Sequence, residues 1–200
     1  VMGEGRTAVI EMAQASGLAM VPPRRRNPKI TTTLGTGQIL KEASERGFER
    51  VVVGLGGSAT NDGGAGMATA LGVRFLDSAG NALPPGGAAL AQLDRIDTSG
   101  VLKSIAGVEI IAATDVTNPL CGPTGASEIF GPQKGASKRV VTELDTALRN
   151  FAQVVQMDVG KDVLDIPGAG AAGGLGAGLV AFAGAEIQSG MVSTLEITGL

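Results

Sequence analysis

The chain has 200 residues, enough for one domain with a substantial hydrophobic core. Hydrophobic residues make up 44% of it, aromatic residues only 2%, and the formal net charge is -3. This composition excludes a largely disordered chain, and it argues against a nucleic-acid partner, which would require a basic surface or aromatic platforms for stacking bases.

Hydrophobic periodicity predicts strands that alternate with helices along the chain. The predicted strands are residues 7–12, 50–55, 73–77 and 108–113, and the predicted helices are 36–46, a short segment ending at Leu71, 137–157 and 173–185. Segment 13–26 is expected to be a loop, and residues 78–81 a turn. The alternation is typical of an α/β domain, so we predict a layered α/β/α fold with a mixed sheet over residues 1–200.

Two kinds of residue are scarce enough to restrict the chemistry. The sequence has no histidine, which removes the commonest general base and the commonest zinc ligand. Its single cysteine, Cys121, permits no intrachain disulfide, and we interpret it as a small buried residue. With neither a signal peptide nor an apolar span of about 20 residues, we expect a cytoplasmic protein without a membrane partner. Any catalysis has to use carboxylates, lysine, backbone amides or a hard metal ion.

The first glycine-rich loop, residues 54–64, follows the second predicted strand directly. In open α/β sheets ligands bind beyond the carboxyl ends of strands, and glycine lets backbone N–H groups approach an anion closely. The candidate binding residues here are Gly56, Gly57, Ser58, Thr60, Asn61 and Asp62. The alternative is a purely structural turn with an Asn-Asp cap.

The second loop, residues 114–135, follows the strand predicted at 108–113. Asp115 stands at the end of that strand, where a carboxylate can orient a hydroxyl group, accept its proton or hold Mg²⁺. Lys134 is a candidate for neutralising a carboxylate or a phosphate. A structural turn from Asp115 to Asn118, closed by Pro119, is the alternative.

The third loop, residues 167–176, contains the spacing G-x-G-x-x-G at Gly168, Gly170 and Gly173. This spacing occurs in dinucleotide-binding folds, so a nicotinamide-dependent oxidoreductase is an alternative function. The preceding residues, 161–166, include two aspartates and lead into a proline, which is unlike the buried strand that such a fold requires. A helix N-terminus directed at a phosphate or carboxylate is favoured instead.

In their order along the chain, these loops resemble the bacterial glycerate kinase family, the type that forms 2-phosphoglycerate. The matching stretches are GGSATNDGGAGM (56–67), TDVTNPLCGPTGASEIFGPQKGAS (114–137) and PGAGAAGGLGAGL (167–179), with weaker similarity at 10–19 and 31–40. Family members are much longer and fold as two α/β domains, one inserted into the other. The resemblance implies that this chain is the inserted domain with its flanks and that the remaining domain is absent.

The resemblance implies ATP and glycerate as substrates and Mg²⁺ as cofactor, with an oligomer left open. Phosphoryl transfer depends on positioning and charge neutralisation. Our hypothesis is that Asp115 or Asp62 holds Mg²⁺ or activates the hydroxyl group, and that Lys134 offsets negative charge. Further binding roles fall to Asn61, Asn118 and the amides of Gly56, Gly57, Ser58, Gly173 and Gly174. A non-catalytic ligand-binding domain is the other alternative, and for this chain alone we expect binding without turnover.

Overall fold

The fold is seen in a computed structural model that describes residues 6–190. Its strands are β1 (Thr7–Glu11), β2 (Arg50–Gly54), β3 (Arg74–Leu76), β4 (Arg95–Asp97), β5 (Glu109–Ala113) and β6 (Glu186–Gln188). Its α-helices are α1 (Ala13–Ser16), α2 (Leu34–Glu45), α3 (Ala65–Ala70), α4 (Ala126–Phe130), α5 (Lys138–Val159) and α6 (Ala171–Ala183). The predicted α/β class is therefore confirmed.

The central sheet has four parallel strands in the order β1–β2–β5–β6. Antiparallel pairing, which we expected within a mixed sheet, lies in a separate two-stranded ribbon of β3 and β4. Strand β2 is central because it pairs with β1 on one side and with β5 on the other. Its three valines are almost fully buried, as is typical of a strand that is covered on both faces. The register places Glu11, Gly54 and Ala113 side by side. The carboxyl ends of β1, β2 and β5 therefore meet at one edge.

Helices α2, α3 and α6 pack on one face of this sheet. Leu40, Met67 and Leu175 from these helices are fully buried and belong to one apolar cluster with Val51 and Val53 of β2. A second cluster lies around α5 and the ribbon. It includes three phenylalanines whose ring centroids lie 5.5 to 6.3 Å apart.

Helix α5 has the predicted start and the predicted apolar stripe. The Ser137 hydroxyl caps it by accepting a hydrogen bond from the amide of Val140 at 3.4 Å. Segment 13–26, expected to be a loop, contains α1 and two short 3-10 turns. No helix within residues 6–190 combines the length and the apolar character that a membrane span requires.

Candidate active site at the strand ends

Two adjoining cavities lie where β1, β2 and β5 end. The larger is an open groove of about 470 Å³, and the smaller has a volume of about 160 Å³. Leu55, Gly56 and Val116 line both. The first and second loops therefore meet at the edge of the sheet where α/β proteins bind their ligands.

Two carboxylates, Glu11 and Asp115, line the open groove. Glu11 ends β1 and Asp115 follows β5, while Gly54 lies between them at the end of β2. A side chain at Gly54 would crowd the groove, since a Cβ there would lie 3.1 Å from Glu11 Oε2. The missing side chain keeps the space between the two carboxylates open.

Asp115 is exposed and held in place through one of its oxygens. Its Oδ1 accepts hydrogen bonds from the Ser189 hydroxyl and from the amide of Gly190, both at 2.9 Å. Its Oδ2 accepts none from any residue that the structure describes. This oxygen is therefore positioned for a ligand.

Our sequence analysis did not single out Glu11. The signal that would have identified it is the one used for Asp115: an acidic residue at the carboxyl end of an apolar strand. No glycine-rich segment follows Glu11, because the chain enters α1 at Ala13.

Lys134 lines the small cavity, although only 1% of its surface is exposed. It lies in a 3-10 turn directly after α4, and its Nζ donates a hydrogen bond to the backbone carbonyl of Thr60 at 2.7 Å. Burial lowers the pKa of Lys134 to about 7, and the nearby Asp62 offsets only part of this effect. Near neutral pH the side chain can therefore be either a cation or a neutral amine.

Three consecutive residues with free backbone amides line the same small cavity. The N–H groups of Gly56, Gly57 and Ser58 donate no hydrogen bond to any acceptor in the described part of the chain. Gly57 has a φ of 63°, a left-handed conformation that glycine adopts without strain. Free amides next to a buried lysine form a favourable environment for an anion.

The third loop contributes chiefly to packing. Ala172, Gly173 and Gly174 are consecutive residues with positive φ, and Ala172 is the only non-glycine residue of this kind in the described chain. A Cβ on Gly173 would collide with the carbonyl of Thr60 in the first loop. Only Ala172 of the three lines the small cavity, and strained residues of this type tend to cluster at functional sites.

The G-x-G-x-x-G spacing of the third loop is not preceded by the buried strand that a dinucleotide-binding fold requires. Residues 160–170, which precede α6, contain no strand. A dinucleotide site also uses an acidic residue about 20 residues after the glycines to bind the ribose. Glu186 lies near that distance, but it begins β6, and its carboxylate accepts a hydrogen bond from the side chain of Gln188 at 3.3 Å. The geometry therefore does not favour dinucleotide binding through this loop.

Asp62 lies inside the protein and is not part of either cavity. Its Oδ2 accepts hydrogen bonds from the Thr33 amide at 2.8 Å, the Thr33 hydroxyl at 2.9 Å and the Gly66 amide at 3.2 Å. Its Oδ1 accepts one from the Gly64 amide at 3.2 Å. Burial nonetheless raises the pKa of Asp62, since desolvation outweighs these bonds. In this structure the carboxylate joins the starts of α2 and α3.

Three further candidate residues make hydrogen bonds between or within the loops, namely Thr60, Asn61 and Asn118. Asn61 Nδ2 donates to the Ser127 hydroxyl at 2.9 Å, while its buried Oδ1 has no partner among the described residues. The Thr60 hydroxyl donates to the carbonyl of Ala172 at 3.5 Å, and Asn118 Nδ2 donates to the carbonyl of Thr124 at 2.8 Å. The structure thus places Gly56, Gly57, Ser58, Lys134 and Asp115 in the lining of the two cavities, whereas none of the other candidate residues lines either cavity.

Cys121 is buried, as we predicted. Burial, reinforced by the negative charge of Asp145, raises the pKa of its thiol to about 12.

No group of three or more acidic or cysteine side chains suited to a metal ion is found within the described residues.

The whole chain, residues 1–200, matches the model of the glycerate kinase family. It is 52% identical over 196 residues to a glycerate kinase of Halalkalibacterium halodurans and 52% identical over 191 residues to a glycerate 2-kinase of Escherichia coli. It also superimposes with a TM-score of 0.96, at 49% identity, on a crystal structure solved for a candidate glycerate kinase 2 of Salmonella typhimurium LT2.

These similarities cover nearly all of the chain but only part of the relatives. They include 98% and 96% of this chain, against 52% and 50% of the two bacterial relatives. The Salmonella structure is matched over 53% of its length. The chain therefore spans about half the length of the curated relatives it matches.

Proposed function

The chain belongs to the glycerate kinase family, and on this premise we propose that it contributes an active-site wall for the ATP-dependent phosphorylation of glycerate. One observation carries the proposal: free loop amides, a buried lysine and an exposed carboxylate meet at the carboxyl ends of parallel strands. Phosphoryl transfer needs these elements, because it depends on placing two anionic substrates and neutralising their charge.

In this proposal Asp115 is the group that faces the reacting atoms. Its Oδ1 is fixed by Ser189 and Gly190, while Oδ2 is directed to the substrate hydroxyl group, which it orients and whose proton it accepts. Lys134 and the amides of Gly56 to Ser58 bind negatively charged oxygens. The substrate oxygen would then bond to the γ-phosphorus as the bond to the bridging oxygen breaks, so that ADP leaves and no covalent enzyme intermediate forms.

The residues of the open groove also fit Mg²⁺, which when bound would neutralise charge on the phosphates. Mg²⁺ keeps several water ligands and commonly takes only one or two carboxylates besides the phosphates of a nucleotide. Asp115 would meet this requirement through Oδ2, in which case it would orient the substrate hydroxyl group without accepting its proton, and Glu11 offers a second carboxylate across Gly54. Asp62 does not, since both of its oxygens are already engaged by four hydrogen bonds.

The buried candidates act as positioning residues in this proposal. Asp62 fixes the end of the first loop, and Gly173 and Gly174 allow the third loop to pack against it. Formation of 2-phosphoglycerate and a cytoplasmic location are part of the proposal. The first is supported by the similarity to the Escherichia coli glycerate 2-kinase and the second by the single cysteine.

A hybrid enzyme tests the proposal directly. The matching segment of the Bacillus subtilis glycerate kinase, which is 51% identical over 195 residues, would be replaced by this chain. We expect the purified hybrid to convert D-glycerate and Mg-ATP into ADP and 2-phosphoglycerate, detected by a coupled assay and by NMR. A folded hybrid that binds both substrates and forms no phosphoglycerate would refute the proposal.

The second candidate function is ligand binding without turnover by the chain alone. It is favoured by the coverage, since the chain spans only half of its curated relatives. Calorimetric titration of the 200-residue chain with D-glycerate and Mg-ADP would measure binding, and the coupled assay would measure turnover. Binding without turnover by the chain, together with turnover by the hybrid, would assign half of the site to this chain.

A further inference from the structure

We propose that the small cavity binds the carboxylate end of a three-carbon hydroxy acid between Lys134 and the amides of Gly57 and Ser58, and that the open groove receives the nucleotide. This assignment rests on the proposed function and divides the two substrates between the two cavities. The amide of Gly56, at the boundary of the cavities, then lies where the hydroxyl group meets the phosphate.

The volumes of the two cavities support this division. The small cavity measures about 160 Å³, about a third of the 470 Å³ of the open groove. That space suits an acid of seven heavy atoms. Drug-sized ligands occupy pockets of about 300–1,000 Å³, and the groove, at about 470 Å³, falls within this range.

The charged residues that line the two cavities support the same assignment of the two substrates. Lys134 is the only charged residue that lines the small cavity, so its environment suits a single negative charge. The groove is lined by Glu11 and Asp115 and by no cationic residue that the structure describes. Carboxylates repel a free carboxylate, whereas the Mg²⁺ ion of a bound nucleotide complex would take one or two carboxylates as ligands.

The remaining walls of the small cavity favour a short hydrocarbon chain. Leu55, Val116, Phe130 and Ala172 supply apolar surface around the lysine. Lys134 Nζ uses one hydrogen bond on Thr60 and has further N–H donors for an anion. Because the ammonium group is itself buried, a carboxylate that reaches it forms a charge-assisted hydrogen bond in an environment of lower polarity than water.

Titration calorimetry on the 200-residue chain, with D-glycerate and Mg-ADP as separate ligands, tests the assignment. The variants are Lys134→Met, which removes the charge and the donors, and Lys134→Gln, which removes the charge but keeps a donor. Both should weaken D-glycerate binding about 10- to 100-fold, the usual effect of losing a hydrogen bond to a charged group. Mg-ADP binding should stay within about threefold, as should both affinities in the exposed control Lys138→Met.

A second ligand series separates recognition of the carboxylate from recognition of the hydroxyl groups. Lactate should bind in a Lys134-dependent manner, and glycerol, which has no carboxylate, should not bind. Loss of Mg-ADP affinity in the Lys134 variants with unchanged D-glycerate affinity would overturn the assignment, and so would a parent chain that binds no D-glycerate.

The hybrid enzyme distinguishes this inference from the proposed function. If the hybrid turns over and Lys134→Gln raises its KM for ATP instead of its KM for D-glycerate, the division of the cavities is wrong while the function stands. If the folded hybrid has no activity with either substrate in excess, the proposed function itself fails.

Discussion

Replacing Lys134 by methionine should stabilise the ligand-free chain near neutral pH. The native lysine has a pKa lowered to about 7, from an ordinary value of 10.5. At pH 7 this shift destabilises the fold by about 4 kcal/mol, at about 1.4 kcal/mol per pH unit. The substitution also leaves the Thr60 carbonyl without its donor, which costs about 1–3 kcal/mol. The expected net gain at pH 7 is about 1–3 kcal/mol in the free energy of unfolding.

The pH dependence of the free energy of unfolding tests the lowered pKa of Lys134 more directly. Between pH 7 and 9 the unfolded lysine keeps its proton while the native one loses it, so the unfolded chain binds more protons and stability rises with pH. For the parent chain this contribution amounts to about 2 kcal/mol over that interval. Lys134→Met lacks it, so its advantage over the parent should shrink as the pH rises.

Urea unfolding at pH 7, 8 and 9, followed by circular dichroism, measures both effects. The comparison of variant and parent cancels the contributions of titrating groups that the two share. Lys138→Met is the matched control, because Lys138 is exposed at the start of α5 and should change stability by less than about 0.5 kcal/mol. If the free energy of unfolding changes with pH in the same way for Lys134→Met and for the parent, Lys134 keeps its proton in the native state over this range, and the reasoning is refuted.

Three further predictions concern packing, the thiol and catalysis. Gly173→Ala should destabilise the chain by more than about 3 kcal/mol in urea unfolding, because its methyl group would collide with the first loop. The control Gly184→Ala has a similar φ of 66° and open space around it, so it should cost only about 1–2 kcal/mol; equal losses would contradict the packing argument. Cys121, whose pKa is raised to about 12, should react with an aromatic disulfide reagent at pH 8 only after unfolding, and rapid labelling of the native chain would show that it is accessible. Asp115→Asn in the hybrid enzyme should lower kcat about 100-fold, and activity within about threefold of the parent hybrid would remove its central role.

The sequence predicted the strands best where local composition and tertiary position agree. Strands β1, β2 and β5 lie within a residue or two of their predicted bounds, because buried parallel strands need continuous apolar runs. Strands β4 and β6 were not predicted. Each is three residues long and contains charged or amide side chains, so its pairing with a neighbour, and not its composition, makes it a strand.

The site was predictable in outline for the same reason. Parallel strands end at one edge of a sheet, so the loops after β2 and β5 had to lie close together. The role of Asp62 was not predictable, because it depends on donors from Thr33, which is 29 residues away in sequence. A carboxylate that lies next to glycines in the sequence has the same local pattern whether it faces a ligand or the start of a helix.

The glycines of the three loops answer two different physical requirements. Gly56 and Gly57 are exposed. A side chain at Gly56 would meet nothing within 4 Å, so crowding within this chain does not explain that glycine, whereas Gly57 has a left-handed φ and a Cβ there would lie 3.3 Å from the Cβ of Ala13. Gly173 and Gly174 are buried, and a Cβ on either would meet the backbone of the first loop. A substitution at Gly173 should therefore act through the first loop: it would displace Thr60, the acceptor of Lys134, and weaken anion binding at a site that Gly173 does not itself line.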